Sequence, residues 1–161
     1  MSLTRAYLCL GGNVGQPRET LALAVATLAR AGLTIAARSS LYRTPPWGPV
    51  PQPAYLNQVV AVDCPVDARG LLYLVLLVER MLGRDRTREV RFGPRTIDID
   101  ILAFGDARID DSDLQLPHPR LMERAFALVP LAEIAPDLRI DGVRVKDALA
   151  RLDASAIVKI A

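Results

Sequence analysis

Between Arg84 and Asp113 the sequence passes from a cationic block directly into an anionic one. Residues 84–95 carry five arginines, Arg84, Arg86, Arg88, Arg91 and Arg95, against Asp85 and Glu89. Residues 96–113 carry six aspartates against Arg108 alone. Guanidinium forks match the geometry of phosphate oxygens, although a basic loop of this kind also reads as a solvated surface. Within Thr96-Ile97-Asp98-Ile99-Asp100-Ile101 the side chains alternate. On a strand, Ile97, Ile99 and Ile101 would therefore face a core and Asp98 and Asp100 would share the opposite face. Two carboxylates so placed lie roughly 6 to 7 Å apart and repel, and one would titrate high. An oxygen-seeking divalent cation, Mg²⁺ above all, would remove that repulsion. The pair alone also fits the wet face of an amphipathic strand, but the adjoining arginines favour the metal dyad. A dyad beside fixed cations is what phosphoryl-type transfer needs, because its catalysis consists mostly of positioning and spreading charge. Arg95 is the sharpest of these cations, since Gly93 and Pro94 fix the approach of its loop to the dyad.

Other residues qualify for support roles. Glu79 falls in the last turn of an expected helix, where it opposes the helix dipole. That position hints at a ligand or at a local partner such as Arg80 or Arg84. Gly11-Gly12-Asn13-Val14-Gly15 lies between a strand and a helix, as phosphate-cradling loops do, but it has neither P-loop nor dinucleotide spacing. It reads first as a tight turn. Residues 44–53 hold five prolines and the only tryptophan, Trp47. Such a stretch fits a stiff surface loop, a polyproline ligand, or an aromatic held ready to stack on a flat heterocycle. Tyr55 and Asn57 follow at alternate strand positions, and Asn57 offers both a donor and an acceptor. His118 is the only histidine and sits in Pro117-His118-Pro119, where a turn role is the plainer reading.

These residues need a scaffold. The chain has 161 residues, of which 51% are hydrophobic and 24% charged, enough to build one core and too apolar for a disordered chain. One unit spanning 1–161 is expected. The net charge of +2 excludes nucleic-acid binding by bulk charge, although 18 of the 20 basic residues are arginine. The longest apolar run, Leu71 to Val78, is too short for a bilayer, and Gly11-Gly12 interrupts any signal-peptide core. Cys9 and Cys64 lack metal-type spacing and read as buried free thiols, so the cytoplasm is the expected compartment.

Periodicity and stop signals predict strands over Arg5–Leu10, Thr34–Tyr42, Tyr55–Asp63 and Thr96–Phe104. They predict helices after Pro17 and from an Asp67 cap to about Leu82. A hairpin near Arg108 and further helices over Ala125–Ile134 and Val145–Leu152 complete the chain. The core order, strand-helix-strand-strand-helix-strand, predicts an α+β fold of ferredoxin-like type, an antiparallel sheet with helices packed on it and long active-site loops.

Taken together the motifs resemble the 6-hydroxymethyl-7,8-dihydropterin pyrophosphokinase family of folate biosynthesis. The resemblance runs in order through Gly11 to Gly15, Tyr42 to Pro49, Tyr55 to Asn57, Glu79, Arg84, Arg86, Arg91 to Ile101, Leu116 to Arg120 and Arg124 to Phe126. It implies a Mg²⁺-dependent transfer of pyrophosphate from ATP to the pterin hydroxymethyl group, releasing AMP. Asp98 and Asp100 then resemble the ligands of two Mg²⁺ ions, and Arg84 and Arg95 the cations that neutralise the transferring group. Glu79, Arg86, Ile101, His118 and Arg124 resemble ATP-contacting positions. Thr44, Pro45, Trp47, Tyr55, Asn57, Phe92 and Phe126 align with the pterin pocket. The partners implied are these small molecules, with no nucleic acid and no membrane. Departures stand at Gly12, where serine is common, at Phe92, where tryptophan occurs, and at Leu76, Asp113, Gln115 and Pro119. The rival classes, an RNA-binding module of the same fold or a proline-rich adaptor, would place aromatics on the sheet strands or leave the Asp pair without a purpose.

Overall fold

The computed structural model describes residues 2–46 and 48–161. Strand β1 (Thr4–Gly12) runs through the two glycines that the sequence suggested would stop it. Helix α1 (Pro17–Arg30) begins on Pro17, whose missing N–H costs nothing in a first turn, and buries Leu21, Ala24, Val25 and Leu28. The expected strand over Thr34–Tyr42 is two strands, β2 (Thr34–Arg38) and β3 (Tyr42–Thr44). Both pair with β4 (Tyr55–Cys64), β2 with its C-terminal half and β3 with its N-terminal end. The break has a cause at Ser39. Its N–H and Oγ take up the Val59 carbonyl and N–H, and Gln58 Nε2 donates to its carbonyl. Helix α2 (Ala68–Met81) opens on the predicted cap, with Gly70 N–H donating to Asp67 at 2.8 Å. Strand β5 (Asp98–Phe104) follows the arginine-rich loop.

The sheet runs β5-β1-β4, with β2 and β3 both beyond β4 and every neighbouring pair antiparallel. This is the ferredoxin-like order that the sequence implied. A short hairpin, β6 (Ile109–Asp110) and β7 (Gln115–Leu116), lies beside β5, the edge strand. Helix α3 (Ala125–Ile134), a two-residue ladder of β8 (Arg139–Ile140) with β9 (Val143–Arg144), helix α4 (Val145–Leu149) and β10 (Val158–Lys159) complete the fold. Strand β10 pairs with β3.

Both sheet faces are covered. Leu8, Leu10, Val60, Val62, Ile97, Ile99 and Ile101 pack with α1 and α2. Cys9, Val59 and Leu102 pack with α3 and α4 on the other side. Cys9 and Cys64 are buried free thiols. Among the described residues no helix is long and apolar enough to cross a membrane.

Candidate active site

Strand β5 divides the site. Its alternation is as predicted, with Ile97, Ile99 and Ile101 buried and Asp98 and Asp100 turned to the opposite face. Leu8 pairs with Ile101 and Tyr7 with Ala103, so Leu102 is an extra residue. This bulge two positions after Asp100 lets Leu102 and Ala103 both pack under α3. On the α2 side lies a cavity of about 940 Å³ walled by α2, the β6–β7 hairpin and the arginine loop. On the sheet face lies a smaller cavity of about 150 Å³ floored by Cys9 and Gly11. Asp100 lines both.

The α2 side is held by charge. Glu79, 2% exposed, accepts from Arg84 Nη1 at 2.7 Å, from Arg86 Nη2 at 2.8 Å and from the Ile99 N–H at 2.8 Å. Burial raises its pKa, and the Ile99 N–H and the Arg84 charge oppose that rise. Arg84 is buried too. It donates to Asp98 at 3.0 Å and to Glu89 through Nε at 2.7 Å and Nη2 at 3.0 Å. Burial at the base of the cleft pushes Asp100 well above the carboxylate range, and the Asp98 charge adds to the rise while Arg124 pulls it back. His118 faces this cavity. Its Nδ1 accepts from the Arg120 N–H at 3.2 Å, and burial, aided by Arg124, brings its pKa down to about 4. A neutral ring with Nδ1 accepting carries its proton on Nε2.

The sheet-face cavity is held by amides, carbonyls and close approach. Asn13 exchanges backbone bonds with Arg95, its Oδ1 accepting from the Arg95 N–H at 2.9 Å and its own N–H donating to the Arg95 carbonyl at 3.0 Å. Asn13 Nδ2 donates to Gln52 Oε1 and to the Pro53 carbonyl, both at 2.9 Å. Gln52 Nε2 in turn donates to the Phe92 carbonyl at 2.6 Å, and Tyr55 Oη donates to the Gly93 carbonyl at 2.8 Å. The proline loop and the arginine loop are thus clasped together through one asparagine and one glutamine. Phe92 takes a left-handed φ of 59°. It packs so close to Gly48 that a Cβ there would sit 2.8 Å from its own. The Arg91 guanidinium stacks over the Phe92 ring at 4.9 Å. Thr44 Oγ1 donates to Asn57 Oδ1 at 2.5 Å, and a Cβ on Gly11 would fall 2.4 Å from Asn57 Nδ2, so only glycine fits beneath that amide.

The sequence matches the 7,8-dihydro-6-hydroxymethylpterin-pyrophosphokinase (HPPK) family over residues 7–136. The chain belongs to that family. A Methylorubrum extorquens protein named 2-amino-4-hydroxy-6-hydroxymethyldihydropteridine pyrophosphokinase is 52% identical over 159 residues, 98% of this chain and 99% of that one. Proteins of the same name from Pseudomonas aeruginosa and Bacillus subtilis are similar as well. The first is 41% identical over 92% of this chain and 91% of its own length. The second is 45% identical over 80% and 77%. Among solved structures, one described as HPPK-DHPS in complex with substrates superposes with a TM-score of 0.73 at 14% identity, over 94% of this chain and 43% of that one. The wild-type Plasmodium falciparum HPPK-DHPS gives 0.71 at 15%, over 92% and 41%. This chain spans less than half of those two solved chains, and likeness at such identity concerns the fold alone.

Within the HPPK framework the anticipated residues fall into two groups around Asp100. Glu79, Arg84, Arg86, Ile101 and His118 line the larger cavity, as do the departures Leu76, Asp113, Gln115 and Pro119. Thr44, Pro45, Tyr55, Asn57, Phe92 and Phe126 line the smaller one together with Arg95 and Asp98. Trp47 lies outside the described residues. Arg124, which the resemblance placed with the nucleotide, lines the smaller cavity. It sits 3.7 Å from Asp100 and over the Phe126 ring at 5.5 Å, and its buried Nε has no hydrogen-bond partner among the described residues. Arg95 curls back onto its own loop, donating to the carbonyls of Val90, Gly93 and Pro94. Glu89 was read only as a charge in the loop, yet it holds Arg84 and lies 3.4 Å from Arg95. Its place five residues after Arg84 was the available signal. Asn13 and Gln52 gave no signal as a pair, because their contact spans 39 residues.

Proposed function

We propose that the two cavities flanking β5 are the two substrate sites of one reaction, joined at Asp100. That reaction is pyrophosphate transfer to 6-hydroxymethyl-7,8-dihydropterin in folate biosynthesis. The larger cavity, apolar along α2 and cationic at its Arg84 and Arg86 end, suits ATP. The smaller, with Tyr55, Phe92 and Phe126 around the Asn57 amide, suits a flat heterocycle. The single observation that carries this reading is that Asp100 lines both, so that a hydroxymethyl group bound in one cavity would face the β-phosphorus of a nucleotide bound in the other.

Asp98 and Asp100 fit Mg²⁺. Among the described residues no group of three or more His, Cys, Asp or Glu side chains stands ready to hold a metal. Mg²⁺ needs no such cage, being held commonly by one or two carboxylates plus substrate phosphates and water. Burial and the Asp98 charge raise the Asp100 pKa against the pull of Arg124, and a cation held between the two carboxylates would relieve their repulsion. Bound Mg²⁺ would neutralise developing phosphate charge. The chain's own residues do the remainder. Arg84, fixed by Glu79 and Glu89, presents a cation without having to reorganise. Arg124 brings a cation to 3.7 Å from Asp100 and keeps a buried Nε–H that has no partner among the described residues. The clasp of Asn13 and Gln52 shuts the two loops over the smaller cavity and excludes water from a hydrolysable group. The hydroxymethyl oxygen attacks the β-phosphorus and gives up its proton to Asp100 or to water, the bond from the β-phosphorus to the oxygen bridging it to the α-phosphorus breaks, and AMP leaves.

The test is calorimetric titration of a non-hydrolysable ATP analogue, with and without Mg²⁺, into wild type and Asp100→Asn, followed by titration of the pterin. Mg²⁺-dependent nucleotide binding that is weakened in the variant supports the reading. Equal binding in both proteins, or pterin binding abolished by Glu79→Gln with nucleotide binding intact, would overturn the assignment of the cavities.

A further inference from the structure

The larger cavity has two facing walls, α2 with Leu72, Val75, Leu76 and Glu79, and the hairpin tip with Ser112, Asp113, Leu114 and Gln115. The hairpin is rooted by Leu114 and Leu116, which are buried in the core beside Leu71 and Val75. Its tip is attached differently. Arg69, in the first turn of α2, reaches across with both arms of its guanidinium. Nη1 donates to both Asp113 carboxylate oxygens at 3.2 and 3.1 Å. Nη2 donates to Asp111 at 2.5 Å and to Asp113 at 3.2 Å. Among the described residues these are the side-chain hydrogen bonds that join α2 to the hairpin. Arg69 also keeps the Asp113 carboxylate below its usual range, so the pair stays charged at neutral pH.

Exposed ion pairs contribute little to global stability, and the side chains of Arg69, Asp111 and Asp113 are half exposed or more. A forked, multidentate grip on two carboxylates nevertheless fixes geometry. We infer that Arg69 is a positioning residue for the nucleotide: it sets the width of the larger cavity by pinning the hairpin tip to α2, without touching the ligand. The inference rests on the larger cavity being the ATP site. Loss of the fork frees the tip and uncovers the Asp113 carboxylate in the wall of a cavity meant for a polyanion.

The experiment measures affinity for a non-hydrolysable ATP analogue with Mg²⁺, affinity for the pterin with that analogue saturating, and the thermal midpoint. Arg69→Ala weakens the analogue by about fivefold or more, within the range of coupled neighbours, and leaves the midpoint and the pterin affinity near wild type. Arg69→Lys, with a charge but no fork, falls between. In an Asp111→Ala/Asp113→Ala background, Arg69→Ala has no further effect. Unchanged analogue affinity in Arg69→Ala overturns the inference, and so does an equal loss in the background lacking the two acids. Hydrogen exchange separates this failure from failure of the cavity assignment. If the analogue does not slow exchange over residues 112–116 in wild type, the nucleotide lies elsewhere and both readings fall together.

Discussion

The two sides of β5 solve the same problem by different physics. On the α2 side, Glu79, Arg84, Arg86 and Glu89 hold one another through ion pairs, of which that between Glu79 and Arg84 has almost no exposure. On the sheet face, Asn13, Gln52, Tyr55 and Asn57 hold two loops through neutral hydrogen bonds, and Gly11 and Gly48 let neighbouring groups approach within distances that no side chain permits. A site for a polyanion needs fixed charges, and fixed charges need counter-charges to keep them folded. A site for a flat ring needs walls at set spacings. The difference teaches that the first should break when charge is removed and the second when shape is altered.

The largest effect is expected where the two sides meet. Asp98→Asn and Asp100→Asn should each abolish turnover while circular dichroism stays native, because both side chains point off the core face. Near-full activity with Mg²⁺ in either variant would remove the dyad from the chemistry. Next comes Glu79→Ala, which removes one of the three carboxylates that hold Arg84 and leaves the Ile99 N–H without its acceptor. Chemical denaturation should show a loss of about 3 to 5 kcal/mol, the cost of breaking a buried pair on one side. A loss under about 1 kcal/mol would show that Glu89 and Asp98 suffice, and the charge-held description would need revision. On the other side, Trp47→Ala should weaken pterin binding by about 1 to 3 kcal/mol and Trp47→Leu by less, with ATP-analogue binding unchanged, as titration of each ligand would reveal.

Gln52→Glu probes shape and polarity at nearly constant volume. It sets a carboxylate oxygen where Gln52 Nε2 now donates to the Phe92 carbonyl. About 1 to 2 kcal/mol of pterin affinity should be lost, the cost of an unpaired buried acceptor, with faster hydrogen exchange over residues 48–53 and 90–95. Unchanged exchange there would mean that Asn13 and Tyr55 hold the loops without it. The smallest effect concerns pH. His118 has a folded pKa of about 4 against 6.5 for a free side chain, so on acidification the unfolded chain takes the proton first. The stability tied to its neutral ring is complete above about pH 6.5 and is lost as pH falls toward 4. His118→Gln should therefore flatten the dependence of the denaturation midpoint between those values. A slope identical to wild type would mean that the carboxylates account for all of it.

Much of this was legible in the sequence where the signal is local. The alternation of Ile97 to Ile101 placed the dyad, the Asp67 cap started α2, and Pro17 started α1. What escaped depends on contacts between distant segments. Thr34 to Tyr42 reads as continuous β-forming sequence, and the bonds of Ser39 to the Val59 backbone and of Ser40 to Glu133 break it. Glu79 read equally as an exposed helix-end acid, because nothing local shows that Ile99 and two arginines from the following loop enclose it. The sequence also left open where the helices expected over Ala125–Ile134 and Val145–Leu152 would pack, and the second of them ends at Leu149, so the covering of the second sheet face came from the structure. The clasp of Asn13 and Gln52 belongs to the same class, since neutral polar residues in loops have no periodicity that could announce a partner.

The contact of Glu79 with the Ile99 N–H has a consequence for how this protein behaves at high concentration. An edge strand with free backbone groups is a template for another chain's strand, and β5 is such an edge. Glu79 occupies the Ile99 N–H, and the His118 N–H occupies the Leu102 carbonyl at 2.9 Å. Residues that line the larger cavity thereby also occupy the edge of the sheet at Ile99 and at Leu102. Substitution of Glu79 should free the Ile99 N–H and raise the tendency of the chain to aggregate by strand addition, so that one carboxylate serves both the site and the edge.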